Sequence, residues 1–328
     1  METNALKVNK KQFSRIGMTM FLATLILNGV QLLFLAIGAN IPAIAASNDL
    51  TTLMMLLPMD LIGVPLCLLL FKRIPSHMEG EKKTMKLSHL LVALLICYGC
   101  SIVCNLLSTG LTSIIAIIKQ SPVDHVVSDL TSNISPATNF LVMVITAPIA
   151  EELLFRKAII DRTVHFGEGV SVVFSGLLFG LFHGNLVQFS YAFLIGMLFG
   201  FVYVKTRNIF YSIALHMGIN FLGSFVSALI LDVSGAMDIL SITDEAEMMA
   251  AVMENIGGMA IYGLYSLLII GMTIAGIVLF FVNRKKFQVS AGEVVIEKGQ
   301  RFKTIFLNLG MILYCIFWIA IIVIQLMA

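Results

Sequence analysis

The sequence predicts an all-α polytopic membrane protein, a helical bundle of about eight or nine transmembrane helices in one membrane domain covering residues 1–328. Hydrophobic residues make up 59% of the chain and charged residues only 12%, whereas a soluble domain carries about 25% charged residues. Mean hydropathy is +0.97. Apolar stretches near the roughly 20 residues that cross a bilayer alternate with short charged segments, which is typical of helices in lipid.

Nine apolar stretches are predicted to be spans: 16–38, 50–71, 88–110, 138–156, 170–184, 187–204, 209–231, 256–282 and 305–327. The first could be a removable signal peptide, but it is longer than the roughly 7 to 15 residues of a signal's apolar region, which favours a retained span. The fifth and sixth are short and are joined only by Asn185 and Leu186. One of these two could therefore be a broken or re-entrant helix.

Basic residues fall on one side of these spans. All of the 21 lysines and arginines except Lys119 lie in the N-terminal arm or in four segments: 72–86, 156–162, 205–207 and 284–303. The alternate loops are polar or acidic, as with Asp124 and Asp129 in 120–137. Because cytoplasmic loops retain positive charge, we expect a multi-pass protein of the cell membrane with a cytoplasmic N-terminus and an extracytoplasmic C-terminus. His77 and His165 fall in basic loops and are expected to be solvated.

Charge and cysteine content exclude several other classes of function. A net charge of +2, with the basic residues dispersed along the chain, gives no indication of a nucleic-acid partner. The cysteines lie within apolar stretches and are predicted to be packing residues, not a disulfide framework. Cys97, Cys100 and Cys104 share a helix face, and metal or redox chemistry is the less favoured interpretation of these three. The five are Cys67, Cys97, Cys100, Cys104 and Cys315.

The fourth span ends in a cluster of charged residues, Glu151, Glu152 and Arg156. An ionisable side chain in hydrocarbon costs about 2.5 to 3.5 kcal/mol on insertion scales, so each one calls for a role. Residues four apart are neighbours on a helix, so Glu152 is expected to pair with Arg156 and to leave Glu151 for another partner. A carboxylate in a poorly hydrated bundle suits a general base that takes a proton from water. A boundary cluster reaching toward the cytoplasmic surface is the alternative.

Other spans carry histidines and further polar residues. His183 lies in a glycine-containing run where helices can approach closely, and a histidine of this kind taken alone is more often a hydrogen-bonded packing residue. His216 and Asn220 are four apart and share a helix face. Such a pair can donate two hydrogen bonds to one oxygen, the arrangement that stabilises a tetrahedral oxyanion. Asp60 in the second span either touches the same cavity or forms a helix–helix hydrogen bond.

Three patterns on successive helices, EExxxR, FxxxH and HxxxN, resemble the motifs of the CPBP family. This family comprises CAAX prenyl proteases and bacteriocin-processing proteins and is also called the abortive-infection family. The resemblance covers about residues 138–231, which we call the CPBP-like core. The matching positions are Glu151, Glu152 and Arg156, then Phe179 and His183, then His216 and Asn220.

The resemblance implies an intramembrane endopeptidase. Glu151 with His183 would position and deprotonate water, and His216 with Asn220 would hold the developing oxyanion. Supporting roles would fall to three neighbours, Glu152, Arg156 and Phe179. In the older metalloprotease interpretation, zinc would instead bind to Glu151, His183 and His216, an acceptable ligand set with one open position. The sequence lacks the HExxH spacing, so no cofactor is favoured.

The substrate implied by the resemblance is a peptide or a membrane-anchored precursor. Bacteriocin or signal-peptide processing, or a related maturation, is favoured over cleavage of prenylated proteins, because no eukaryotic address is visible in the sequence. The rival interpretation is a non-catalytic membrane protein, such as a transporter or a bacteriocin immunity factor. Transporters commonly have two internally similar halves, and no such repeat is visible here.

Overall fold

A computed structural model describes residues 4–121 and 134–327, and these residues form the all-α membrane bundle that the sequence predicts. The predicted loop residues Asp124 and Asp129 lie outside the described ranges. Eight helices are long and apolar enough to cross a membrane: α1 (Leu6–Ala39), α2 (Asn48–Phe71), α3 (Leu87–Lys119), α4 (Pro136–Phe166), α6 (Leu186–Thr206), α7 (Ile209–Ser234), α8 (Ile256–Lys286) and α9 (Leu309–Met327). Between α4 and α6 lies the shorter α5 (Glu168–Phe182).

Helix α5 differs from the predicted fifth span because it is too short to cross the bilayer. Its 15 residues rise about 22 Å, against a hydrocarbon core of about 30 Å. Gly184, with a left-handed φ of 66°, turns the chain, and Asn185 then caps α6 by accepting from Gln188 N at 2.8 Å. Near the end of α6, Lys205 Nζ forms an ion pair with Glu168 Oε2 at the start of α5, at 2.5 Å. Helices α5 and α6 therefore form an antiparallel hairpin that begins and ends at the same end of the bundle.

The segments rich in lysine and arginine meet at one end of the bundle, which we call the basic end. The N-terminal arm belongs to it, because Gln12 Nε2 donates to Arg162 O at 3.1 Å. At the other end, which we call the acidic end, Lys119 Nζ donates to Leu326 O at 3.2 Å. The basic segments are joined by backbone hydrogen bonds: His77 N to Asp161 O, Lys83 N to Thr206 O, and Val294 N to His165 O.

One expectation at the basic end is wrong. His165 was expected to be solvated, but it is buried because the segment after α8 folds over it and Val294 N donates to its carbonyl. Its ring lies 3.9 Å from that of His77 and 4.0 Å from that of Phe166. His77 itself is exposed, as expected.

Small residues set the closest helix contacts. Gly276 of α8 lies against Gly99 of α3, and a Cβ atom built on Gly276 would collide with the backbone oxygen of Leu95. Lipid chains are as apolar as the helices, so close backbone packing contributes much of the association in a membrane. The cysteines fit the predicted packing role: all five are free thiols, three of them buried.

We expect Gly276→Val to lower the free energy of unfolding by about 1 to 3 kcal/mol, because the added atoms overpack the contact between α3 and α8. Gly271→Val on the same helix is the matched control, since no atom lies within 4 Å of a Cβ built there. Thermal unfolding of both variants in detergent measures the difference. Equal midpoints for the two variants would contradict this account of the contact.

Candidate active site

Helix α4 departs from regular α-helical geometry on both sides of its charged residues. Only Ala147–Glu151 is α-helical there, between π-helical segments Phe140–Thr146 and Glu152–Ile160. Pro148 lies within this stretch. A proline has no N–H to donate and clashes with the carbonyl four residues earlier, and a wider turn relieves both effects. Such π-helical turns are frequent at functional sites.

Glu152 links two partners in the core of the bundle. One carboxylate oxygen lies 3.1 Å from Arg156 Nε, as the four-residue spacing predicted, and both side chains are fully buried. The other oxygen lies 3.0 Å from His216 Nδ1 on α7. A carboxylate can only accept, so the Nδ1–H of the imidazole donates to Glu152. Glu152 thus fixes the orientation of the His216 ring.

Glu151 faces the other nitrogen of the same ring. Its Oε2 lies 3.5 Å from His216 Nε2, and its side chain is 22% exposed where that of Glu152 is fully buried. The imidazole of His216 therefore lies between two carboxylates. The outer one is open to a cavity, and the inner one is neutralised by Arg156.

Phe179 is the aromatic centre of the site. The Arg156 guanidinium lies 4.5 Å from the centroid of its ring, a cation–π contact that stabilises a buried cation. The rings of His183 and His216 lie 4.8 and 5.6 Å from it. Phe179 thus packs beside both imidazoles and beneath the charged cluster.

His183 and Asn220 complete the set of predicted catalytic residues. The Nδ1 atom of His183 lies 2.9 Å from the carbonyl of Phe179, four residues earlier. Asn220 donates one amide N–H to the carbonyl of Met143 in the π-helical part of α4, at 2.8 Å. An asparagine amide carries two donor hydrogens, so one remains for a ligand.

All four residues predicted to be catalytic line one cavity of about 660 Å³, and Phe179 lines it as well. The four are Glu151, His183, His216 and Asn220. Glu152 and Arg156 lie behind this wall. From there Glu152 contacts His216 directly and so supports its ring. Contact between α4 and α7 depends on how the two helices are rotated, which spacing within one helix does not determine.

Sequence analysis missed the wall that α3 contributes. Four of its polar residues line the cavity: Ser101, Asn105, Thr109 and Thr112. Their spacing of three or four residues places them on one helix face, which is the signal that could have identified them. Asp60 is not among the lining residues; it is buried and accepts from Thr146 Oγ1 at 2.8 Å. It thus forms the helix–helix hydrogen bond that was one of its two predicted roles.

The zinc alternative finds no support in this geometry. Across residues 4–121 and 134–327, no three histidine, cysteine or carboxylate side chains are grouped so that they could hold a metal ion. The ring of Phe179 packs against both His183 and His216, and His216 Nε2 faces Glu151 directly. Glu151, His183 and His216 are therefore not grouped as a set of three metal ligands in the described chain.

Comparison with known proteins identifies one related family. Residues 133–222 match the family model described as type II CAAX prenyl endopeptidase Rce1-like. No curated protein and no solved structure matches the chain. The matched segment contains all seven motif residues, from Glu151 to Asn220. Residues 133–222 of this multi-pass membrane protein thus match the family of CAAX-type proteases that the three motifs resemble.

Proposed function

We propose that the protein is an intramembrane endopeptidase that hydrolyses a peptide bond of a peptide or membrane-associated precursor. One observation carries the proposal. A carboxylate open to a membrane-embedded cavity, that of Glu151, lies 3.5 Å from an imidazole whose other nitrogen is held by a second, fully buried carboxylate. A base beside an oriented histidine is the arrangement that activates a nucleophile.

Glu151 is the proposed general base. Its carboxylate takes a proton from water, and the resulting hydroxide adds to the carbonyl carbon of the substrate. Glu151 then passes that proton to the leaving nitrogen as the C–N bond breaks, giving a carboxylic acid and an amine. His183, whose Nδ1 faces the Phe179 carbonyl, has Nε2 left to accept from the same water. The hydrogen bond to the backbone holds the ring in place for this task.

His216 and Asn220 are the proposed oxyanion donors. The contact of His216 Nε2 with Glu151 is attractive only when one of the two atoms carries a proton. With the proton on Nε2, the ring donates from that nitrogen while Glu151 stays free to accept from water. The second amide hydrogen of Asn220 supplies the other donor. Each preorganised donor of this kind typically contributes about 2.7 to 4 kcal/mol of transition-state stabilisation.

The substrate class follows the family resemblance. We propose processing of a bacteriocin, a signal peptide or a related precursor, by a metal-free mechanism, in the cell membrane with the basic end in the cytoplasm. The cleavage of prenylated C-terminal peptides is the alternative within the same chemistry. The positive-inside distribution of charge supports the orientation.

Purification in detergent and assay on a peptide library test the proposal. We expect wild-type protein to cleave library members, Glu151→Ala to leave them intact, and a chelator to have no effect. Metal content, measured on the same samples, should be below one zinc per chain. Cleavage that persists in Glu151→Ala would overturn the assignment of the base. Stoichiometric zinc that is lost in His183→Ala would instead support the metalloprotease mechanism.

A further inference from the structure

The cavity is closed toward the basic end. Behind Glu151 lie the fully buried side chains of Glu152 and Arg156, and Phe155, Phe179 and Phe199 are buried at the same level. Among the described residues that line the cavity there is no lysine or arginine. Water or substrate coming from the basic end would therefore have to displace the packed core and the ion pair within it.

The cavity continues toward the acidic end. Helix α7 starts at the basic end with Ile209, so a rise of about 1.5 Å per residue places His216 about 10 Å and Gly223 about 21 Å along it. Gln325 lies about 24 Å along α9 by the same measure. His216, Gly223 and Gln325 all line the cavity. With a hydrocarbon core of about 30 Å, the cavity begins near the catalytic residues and opens in the half of the bundle away from the basic loops.

Helix α3 contributes a polar stripe to a cavity whose lining is otherwise mainly apolar and almost uncharged. Ser101, Asn105, Thr109 and Thr112 form a continuous face of α3, and Glu151 is the one carboxylate among the lining residues of the described chain. An extended peptide needs partners for its backbone N–H and C=O groups once it leaves water. The hydroxyl oxygens of this stripe can accept, and the Asn105 amide can donate and accept, whereas a charged substrate residue held along α3 away from Glu151 would be buried without an opposite charge.

We propose that the substrate enters from the acidic end, the extracytoplasmic side given the basic loops, as an extended uncharged segment along the polar face of α3. This inference rests on the proposed function for the identity of the ligand. Its geometric part, the side from which the cavity is reached, is independent of catalysis.

Three glycines allow a matched test of access. No atom lies within 4 Å of a Cβ built on Gly223, Gly257 or Gly299. Gly223 lines the cavity, Gly257 begins α8 at the acidic end, and Gly299 lies in the basic segment 284–303. Each would be replaced by cysteine and treated with a membrane-impermeant maleimide in intact cells and in inverted vesicles, with wild-type protein giving the background of the native thiols.

We expect Gly223→Cys and Gly257→Cys to be labelled in intact cells, and Gly299→Cys only in inverted vesicles. Labelling of Gly223→Cys from the same side as Gly299→Cys, or from neither side, would overturn the proposal. So would labelling of Gly299→Cys in intact cells. Maleimide labelling needs no peptidase turnover, so a chain without peptidase activity can still give the expected labelling pattern. Failure of the proposed entry side is therefore distinguishable from failure of the proposed function.

A second measurement addresses the uncharged segment. Lysine introduced a few residues away from the cleaved bond of a library substrate, out of reach of Glu151, should lower kcat/KM about tenfold or more, because an unpaired charge is then buried. Asn105→Asp supplies an opposite charge in the wall and should recover cleavage of the lysine peptide relative to the parent peptide. Equal cleavage of both peptides by the wild-type protein, or no change in their ratio in Asn105→Asp, would contradict binding along α3.

Discussion

Replacing Glu151 with glutamine should lower kcat for peptide hydrolysis about 10²- to 10⁴-fold, the usual contribution of a general base. Glutamine has nearly the same shape but cannot take a proton from water. Substrate binding uses the wall of the cavity, so KM should change little. The side chain is partly open to the cavity and lies 3.5 Å from His216, so the thermal midpoint should also stay close to that of the wild type.

Steady-state kinetics and thermal unfolding on the same preparations check this prediction. Glu254→Gln is a matched control, since it makes the same chemical change at an exposed position on the acidic side of the bundle, and its kcat should equal that of the wild type. A Glu151→Gln variant with unchanged kcat but a lowered midpoint would mean that Glu151 is a structural residue.

The buried ion pair between Glu152 and Arg156 should give the largest effect on stability. Removing one partner leaves a charge in the core, so Glu152→Gln alone should cost about 3 to 5 kcal/mol of unfolding free energy. Arg156→Met should also be destabilising, although His216 still contacts the remaining carboxylate. The double variant leaves neither of these two charges in the core, so its loss of unfolding free energy should be clearly smaller than the sum of the two single losses.

Hydrolysis should not recover with stability in that double variant. Without the Glu152 carboxylate, His216 has no anionic acceptor for its Nδ1 hydrogen, and the ring is no longer oriented toward Glu151. Unfolding in detergent and kcat, measured together, separate the two roles. Strictly additive losses would show that the pair does not act as a unit.

Helix α4 contains a second ion pair that serves as a control for these single and double variants. Lys157 and Asp161 have the same four-residue spacing and lie 2.6 Å apart, but the lysine side chain is 52% exposed. Exposed pairs contribute about 0 to 1 kcal/mol, and the buried Asp161 carboxylate keeps the hydrogen bond from Tyr203 Oη, so Lys157→Met should lower the midpoint much less than Glu152→Gln. A loss as large as that of Glu152→Gln would mean that burial is not the reason for the expected difference.

The sequence by itself determined the class of protein and the approximate position of the long helices in the described chain, and it predicted the candidate site residues that the structure brings together. These features follow from local rules: about 20 apolar residues cross a bilayer, and residues four apart meet on a helix. The pairing of Glu152 with Arg156 is a contact of this kind. The gathering of the basic segments at one end follows equally from the alternation of loops between the two sides.

Only the tertiary structure decided how the helices face one another. It showed that Glu152 holds His216, that α5 is a short arm of a hairpin, that His165 is buried, and that α3 contributes a polar wall. Each of these depends on the rotation and depth of a helix relative to its neighbours. In lipid, the apolar faces of a helix are nearly equivalent as partners, so hydrophobic periodicity cannot choose among them, and a few polar contacts and close glycine packings make the choice.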